Sequence, residues 1–136
     1  MIAAPPPVAG AVRARARPAR RALVVEPVAS IRRVLHYLLE TLGFDVRAAT
    51  QPEEAFAIAD AEQDFQILIT EFVLPGIGGR TLAGFVRQRM PEARVLYLCD
   101  ELAQEGIEAQ GEAALAKPFS PEQLSEMLER LLEARR

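Results

Sequence analysis

Phe65-Gln66-Ile67-Leu68-Ile69-Thr70-Glu71-Phe72-Val73-Leu74-Pro75-Gly76-Ile77-Gly78-Gly79 is the stretch that decides the fold. Ile67, Leu68 and Ile69 form a continuous apolar run, the pattern of a strand covered on both faces in a parallel sheet. The run ends in a carboxylate, Glu71, then passes through Leu74-Pro75-Gly76 and Gly78-Gly79, a tight loop handing over to a helix near Arg80. In open α/β sheets the C-terminal strand ends are where ligands and chemistry collect. A charge closing a buried strand is costly without a partner, so Glu71 is either functional or paired.

The segments on either side repeat the same unit. Ala22-Leu23-Val24-Val25 predicts a first strand ending at Glu26-Pro27, with Ser30 capping the helix that follows. Ile31, Val34, Leu35, Leu38, Leu39 and Leu42 recur at three- and four-residue steps and predict that helix's buried stripe, stopped by Gly43. Phe44-Asp45-Val46-Arg47-Ala48 alternates as an edge strand does. Thr50-Gln51-Pro52-Glu53 is a capping box opening a helix that packs through Ala55, Phe56 and Ala59. After the third strand, Arg80 to Met90 predicts a helix with Leu82, Phe85, Val86 and Met90 inward, ended by Pro91.

Arg94 to Cys99 is a fourth strand, Leu102 to Gln110 a helix of two turns or so, and Ala113 to Ala116 a fifth strand running into Lys117-Pro118-Phe119. Ser120-Pro121-Glu122-Gln123 caps a last helix that packs through Leu124, Met127, Leu128, Leu131 and Leu132, with Arg135-Arg136 at its negative end. Five strand–helix units joined by right-handed crossovers predict a (βα)5 flavodoxin-like, doubly wound parallel sheet of order 2-1-3-4-5, in three α/β/α layers.

Composition narrows the setting. The 136 residues suffice for one domain with a real core, and no apolar run approaches the roughly 18–20 residues needed to cross a bilayer. One cysteine, Cys99, cannot form an internal disulfide, and no secretory signal opens the chain, so the expected location is the cytoplasm. The net charge of −3 divides into +5 on residues 1–21, from Arg13, Arg15, Arg17, Arg20 and Arg21, and −8 on the remainder. Residues 1–21, rich in Ala, Pro and Arg, are read as a disordered tail ahead of a domain at 22–136.

Glu26, Glu71 and Lys117 close strands one, three and five, which meet around the switch point of such a sheet. Two acids and one lysine there can bind a metal, hold a phosphoryl group, or close on one another as an ion-pair cluster. At these residues the chain resembles the receiver domain of two-component response regulators, from about Arg21 to Arg136. The markers are Leu23-Val24-Val25-Glu26, Ser30-Ile31-Arg32-Arg33-Val34-Leu35, Leu74-Pro75-Gly76 and, above all, Lys117-Pro118-Phe119. The resemblance implies a domain that takes phosphate from a histidine kinase onto an aspartate with the help of Mg²⁺. Its implied partners are a histidine kinase, a histidine phosphotransfer protein or another response regulator, with homodimerisation a further option.

The departures from that pattern carry the functional reading. The phosphoacceptor aspartate corresponds to Glu71, and the Mg²⁺-holding acidic pair to Glu26 and Pro27. The switch hydroxyl corresponds to Cys99, followed by Asp100, and the aromatic switch position to Ala114; Lys117 alone is retained. The interval from Cys99 to Lys117 is also a few residues short of the family's. A carboxylate lost at Pro27, and two others lengthened, weaken a site that needs near-octahedral oxygens. No resident cofactor is therefore expected, Mg²⁺ being at most weakly held by Glu26 and Glu71.

The sequence thus predicts a stand-alone, degenerate pseudo-receiver, not an enzyme, acting as a phosphorylation-independent protein–protein interaction module in bacterial two-component signalling. In it Glu71 pairs with Lys117, in part of the space of a phosphorylated aspartate. The alternatives are a working Mg²⁺-dependent phosphoacceptor, and a nucleic-acid or membrane adaptor acting through the arginine-rich tail, the nucleic-acid role being the less favoured. His36 is read as a solvated surface histidine, Cys99 as a buried small hydrophobe, and Arg32 and Arg33 as a hydrated face on the first helix.

Overall fold

The computed structural model describes residues 20–100 and 111–133. The strands are β1 (Arg20–Val25), β2 (Phe44–Ala49), β3 (Ile67–Glu71), β4 (Arg94–Cys99) and β5 (Glu112–Ala116). The helices are α1 (Ala29–Thr41), α2 (Pro52–Ala61), α3 (Gly79–Arg89) and α4 (Pro121–Glu133). All strand pairs are parallel and the order is β2-β1-β3-β4-β5, the flavodoxin-like arrangement predicted.

The apolar runs are continuous because each strand feeds two cores. Leu23, Val25, Leu68, Val95, Tyr97 and Cys99 face α2 and α3. Their sequence neighbours Ala22, Val24, Ile67, Ile69, Leu96 and Leu98 face α1 and α4. Alternating side chains thus fill opposite layers, and only an all-apolar sequence satisfies both. The amphipathic C-terminal helix buries Leu124, Leu128 and Leu131, and the reciprocal box predicted at its start is present. Ser120 N–H donates to Gln123 Oε1 at 2.8 Å, and Gln123 N–H donates to Ser120 Oγ at 3.0 Å.

Several local expectations change. Ser30 does not cap α1: the helix starts at Ala29 with Val28 as the capping residue and no side-chain cap bond. The turn is made instead by the Glu26 carboxylate, which accepts Val28 N–H at 2.9 Å. The stripe on α1 is narrower than predicted, because Leu35 and Leu39 fill the available layer, leaving Val34 51% and Leu42 38% exposed. Before α2, Pro52 fixes the first helical position, so Gln51 becomes the cap. The reciprocal contact then runs from Thr50 N–H to Glu54 Oε1 at 3.0 Å, rather than to Glu53. The helix predicted over Leu102–Gln110, the Arg135-Arg136 pair and residues 1–19 of the tail lie outside the described residues.

The boundary drawn after residue 21 cuts through β1, which begins at Arg20. Arg21 is a fixed part of the domain. Its guanidinium reaches Asp45 Oδ2 at 3.1 Å, Glu62 Oε1 at 2.9 Å and Asp64 Oδ1 at 2.6 Å, and lies 4.6 Å from the centre of the Phe65 ring. Burial works against its charge, but the hydrogen bonds to Glu62, Asp64 and Asp45 outweigh that and raise its pKa. One planar fork thereby ties β1 to β2 and to the chain entering β3. Arg21→Ala is expected to lower stability by about 1–3 kcal/mol in urea titration, and Arg21→Lys to recover only part of that, because an ammonium cannot fork to three acids.

Candidate functional site

Glu26 leaves β1 with no exposed surface. Its N–H donates to Ala49 O at 3.1 Å, and its own carbonyl accepts Arg32 Nη1 at 2.8 Å. The same Arg32 nitrogen lies 3.2 Å from Pro27 O, so this residue fastens the β1–α1 loop rather than standing on a hydrated face. Glu71 closes β3. Its carbonyl accepts the Thr70 hydroxyl at 3.0 Å, and the following Phe72 N–H donates to Leu98 O at 2.8 Å, anchoring the strand end to β4.

The loop then doubles back so tightly that Gly79 N–H donates to Phe72 O at 2.8 Å. A β-carbon at Gly79 would collide with the Glu71 carbonyl oxygen, so the backbone behind Glu71 requires glycine there. Lys117 emerges from β5 across a cis peptide to Pro118, its N–H donating to Cys99 O at 2.9 Å.

These three strand ends converge. Lys117 Nζ lies 3.5 Å from Glu26 Oε1 and in direct contact with Glu71 Oε2. Both oxygens are buried and receive no other hydrogen bond among the described residues, so the ammonium is what neutralises them. Two carboxylates therefore share one cation. Burial, and then the neighbouring Glu26 carboxylate, push Glu71 up to about 7 despite the opposing pull of Lys117. Burial also works against the charge on Lys117, but Glu71 and Glu26 together hold its pKa above the ordinary value.

The profile of the response regulator receiver domain matches residues 22–129. The chain belongs to that family. The receiver is 32% identical over 117 residues to chemotaxis protein CheY1 of Helicobacter pylori, a match covering 81% of this chain and 94% of that protein. It is 30% identical to the alkaline phosphatase synthesis transcriptional regulatory protein PhoP of Bacillus subtilis, covering 83% of this chain and 48% of that one. Among solved structures it resembles CheY4 of Vibrio cholerae, with TM-score 0.73, 27% identity, and 84% of this chain and 99% of that chain covered. TrrA of Thermotoga maritima, solved in complex with Mg²⁺–BeF, gives TM-score 0.72 at 25% identity, covering 83% of this chain and 99% of that one.

Around the receiver's acid–lysine cluster, the other residues singled out from the sequence take different places. Pro27 is exposed on the loop and offers no oxygen donor from its side chain. Cys99 sits at the end of β4, 4% exposed, its thiol pushed up by burial and then by the charges of Asp100 and Glu71. Ala114 is not part of the cluster; it pairs with Tyr97 across β4 and β5. Sequence reasoning passed over Tyr97, which is 1% exposed and packs edge-on against Phe72 at 5.4 Å between ring centres. Its position two residues before Cys99, on the same face of β4, was the available signal. His36 has an acidic neighbour after all, Glu40 Oε2 at 3.1 Å one turn along α1.

The donor set as arranged is a poor fit to Mg²⁺, which asks for near-octahedral oxygens at about 2.0–2.1 Å. One Glu26 oxygen is engaged by Val28 N–H, and the other faces the Lys117 ammonium, as does Glu71 Oε2. Among the described residues, no three His, Cys, Asp or Glu side chains gather in a group able to hold a metal ion.

The raised pKa of Glu71 has a defined sign in stability. The folded protein holds this proton up to about pH 7, whereas the unfolded chain releases it near the ordinary 4.5, so the folded state binds more protons between those values. Stability is expected to fall as pH rises through that window, by on the order of 1–2 kcal/mol after solvent screening. Glu71→Gln should flatten this part of the profile and leave the protein more stable at about pH 8, as read from urea midpoints.

Proposed function

We propose that this receiver is a phosphorylation-independent contact module of two-component signalling, a pseudo-receiver that performs no catalysis of its own. The observation carrying this reading is that the Lys117 ammonium is committed to Glu26 and Glu71. In the receiver pattern Lys117 is the retained lysine, Glu71 stands at the phosphoacceptor, and Glu26 and Pro27 at the Mg²⁺-holding pair. Here the acids and the lysine satisfy one another.

Three further features support it. An acyl phosphate on Glu71 would form about one bond length beyond the aspartate's in-line position, and a 1 Å misplacement can reduce a rate about a hundredfold. The buried thiol of Cys99 is a far weaker hydrogen-bond donor than a hydroxyl. Loops beside the cluster carry exposed apolar residues, Val28 at 48% and Val73 at 74%, and a cleft of about 480 Å³ between α1 and the β5–α4 loop is lined by Ile31, Val34, Pro118 and Phe119. Such surfaces suit a protein partner. Histidine kinases, histidine phosphotransfer proteins and other response regulators are the partner classes proposed, with Glu71 and Lys117 holding the domain in one conformation.

Intact-mass measurement after incubation with Mg²⁺ and a small acyl-phosphate donor should detect no phosphate adduct, and a stoichiometric adduct would refute the proposal. In parallel, Glu71→Ala should alter partner capture relative to the wild type by removing the acid that holds Lys117. Identical partners for wild type, Glu71→Asp and Glu71→Ala would mean that the pair has no role in setting the output.

A further inference from the structure

Helix α1 turns Leu35 and Leu39 into the core, and its opposite face has nothing packed on it among the described residues. At the centre of that outer face stands Tyr37, 67% exposed, with Val34, 51% exposed, on one flank. On the other flank lie Arg33 and Glu40, both exposed and seven residues apart, hence on one line along the helix. An aromatic–aliphatic centre with opposite charges set symmetrically about it is self-complementary under a two-fold axis.

We propose that α1 is the interface of a symmetric homodimer in which two α1 helices pack antiparallel across a two-fold axis near Tyr37. Reversing one helix brings Arg33 level with the other copy's Glu40, and Glu40 level with its Arg33, on the same side of the contact. The Tyr37 rings of the two copies meet at the axis, with the two Val34 side chains along the side opposite the ion pairs. The hydrogen bond from His36 uses only Oε2 of Glu40, so Oε1 remains for an arginine. The charge pattern favours a second copy over a wholly basic or wholly acidic partner surface, which would meet a like charge at Arg33 or at Glu40 respectively.

A contact made by one helix of 13 residues on each side falls below the roughly 1,200 Å² of a standard stable interface, so the dimer is weak. Its ion pairs lie at a solvent-exposed rim, so raising the salt concentration loosens it.

Sedimentation velocity on the full chain, from about 5 to 500 μM at low ionic strength, tests this. The wild type should pass from monomer to dimer across that range. Arg33→Glu and Glu40→Arg should each weaken association at least about tenfold by opposing like charges, while R33E/E40R should return it to within about threefold of wild type. Both reversals lie at exposed positions, and each agrees in sign with the helix dipole, so the fold is kept. Tyr37→Ala should weaken association without changing its salt dependence. A chain that stays monomeric throughout overturns the proposal, as does a dimer indifferent to the single reversals or a double reversal that restores nothing. A monomer that loses histidine-kinase binding on Tyr37→Ala would assign this face to that partner and equally overturn it.

Discussion

One ammonium between two buried carboxylates is the constraint on which this domain turns. Glu26 is wholly inside and Glu71 is partly buried with its Oε2 shielded, and among the described residues Lys117 is the cation in reach of both. Removing the lysine from such a cluster leaves two carboxylates without compensation in a low-dielectric setting, which is far more damaging than the cluster itself is stabilising. The geometry exists because strand order places β1 beside β3, while the lysine stem at the end of β5 is long enough to cross past β4. Fold and site are thus one arrangement, the parallel sheet delivering three strand ends to one edge and the charges settling what that edge can do.

How much of this was legible in the sequence depends on whether the signal was periodic or relational. Ile67 to Ile69 and Arg94 to Cys99 declared buried strands because a doubly covered strand must be apolar on both faces. The helical stripes around Leu35, Leu82 and Leu124 were equally plain. What failed was finer: Ser30 has the chemistry of a cap, but the Glu26 carboxylate had already taken the turn's free N–H at Val28. Val34 and Leu42 have the right spacing for a core, yet the layer under α1 holds only Leu35 and Leu39 at full burial. Propensity names candidates, and tertiary competition chooses among them.

The site followed the same rule. That Glu71 needs a partner, and that Lys117 is near, could be read from two strand ends. That Glu26 joins them was one of three options the converging strand ends left open, and choosing among these depended on side-chain reach across β1, β3 and β5 together. Arg32 was invisible as a loop fastener since its targets are backbone carbonyls, which no sequence pattern marks. Tyr97 carries no mark of its own in a strand that is buried throughout; its contact with Phe72 comes from the loop after β3, which no periodicity in β4 signals.

The incorporation of Arg21 into β1 has a consequence for any polyanion the leading segment meets. Of the five arginines in the first 21 residues, Arg21 is committed to Asp45, Glu62 and Asp64, whereas Arg20, though in β1, is exposed, leaving Arg13, Arg15, Arg17 and Arg20. Displacement of condensed counterions scales with the number of phosphates neutralised, with a logarithmic slope of about −0.9 per charge on a duplex. Four arginines then give a slope of about −3.6, against roughly −4.5 for five, so a duplex grip from this segment alone is weaker and less salt-sensitive than the raw arginine count suggests.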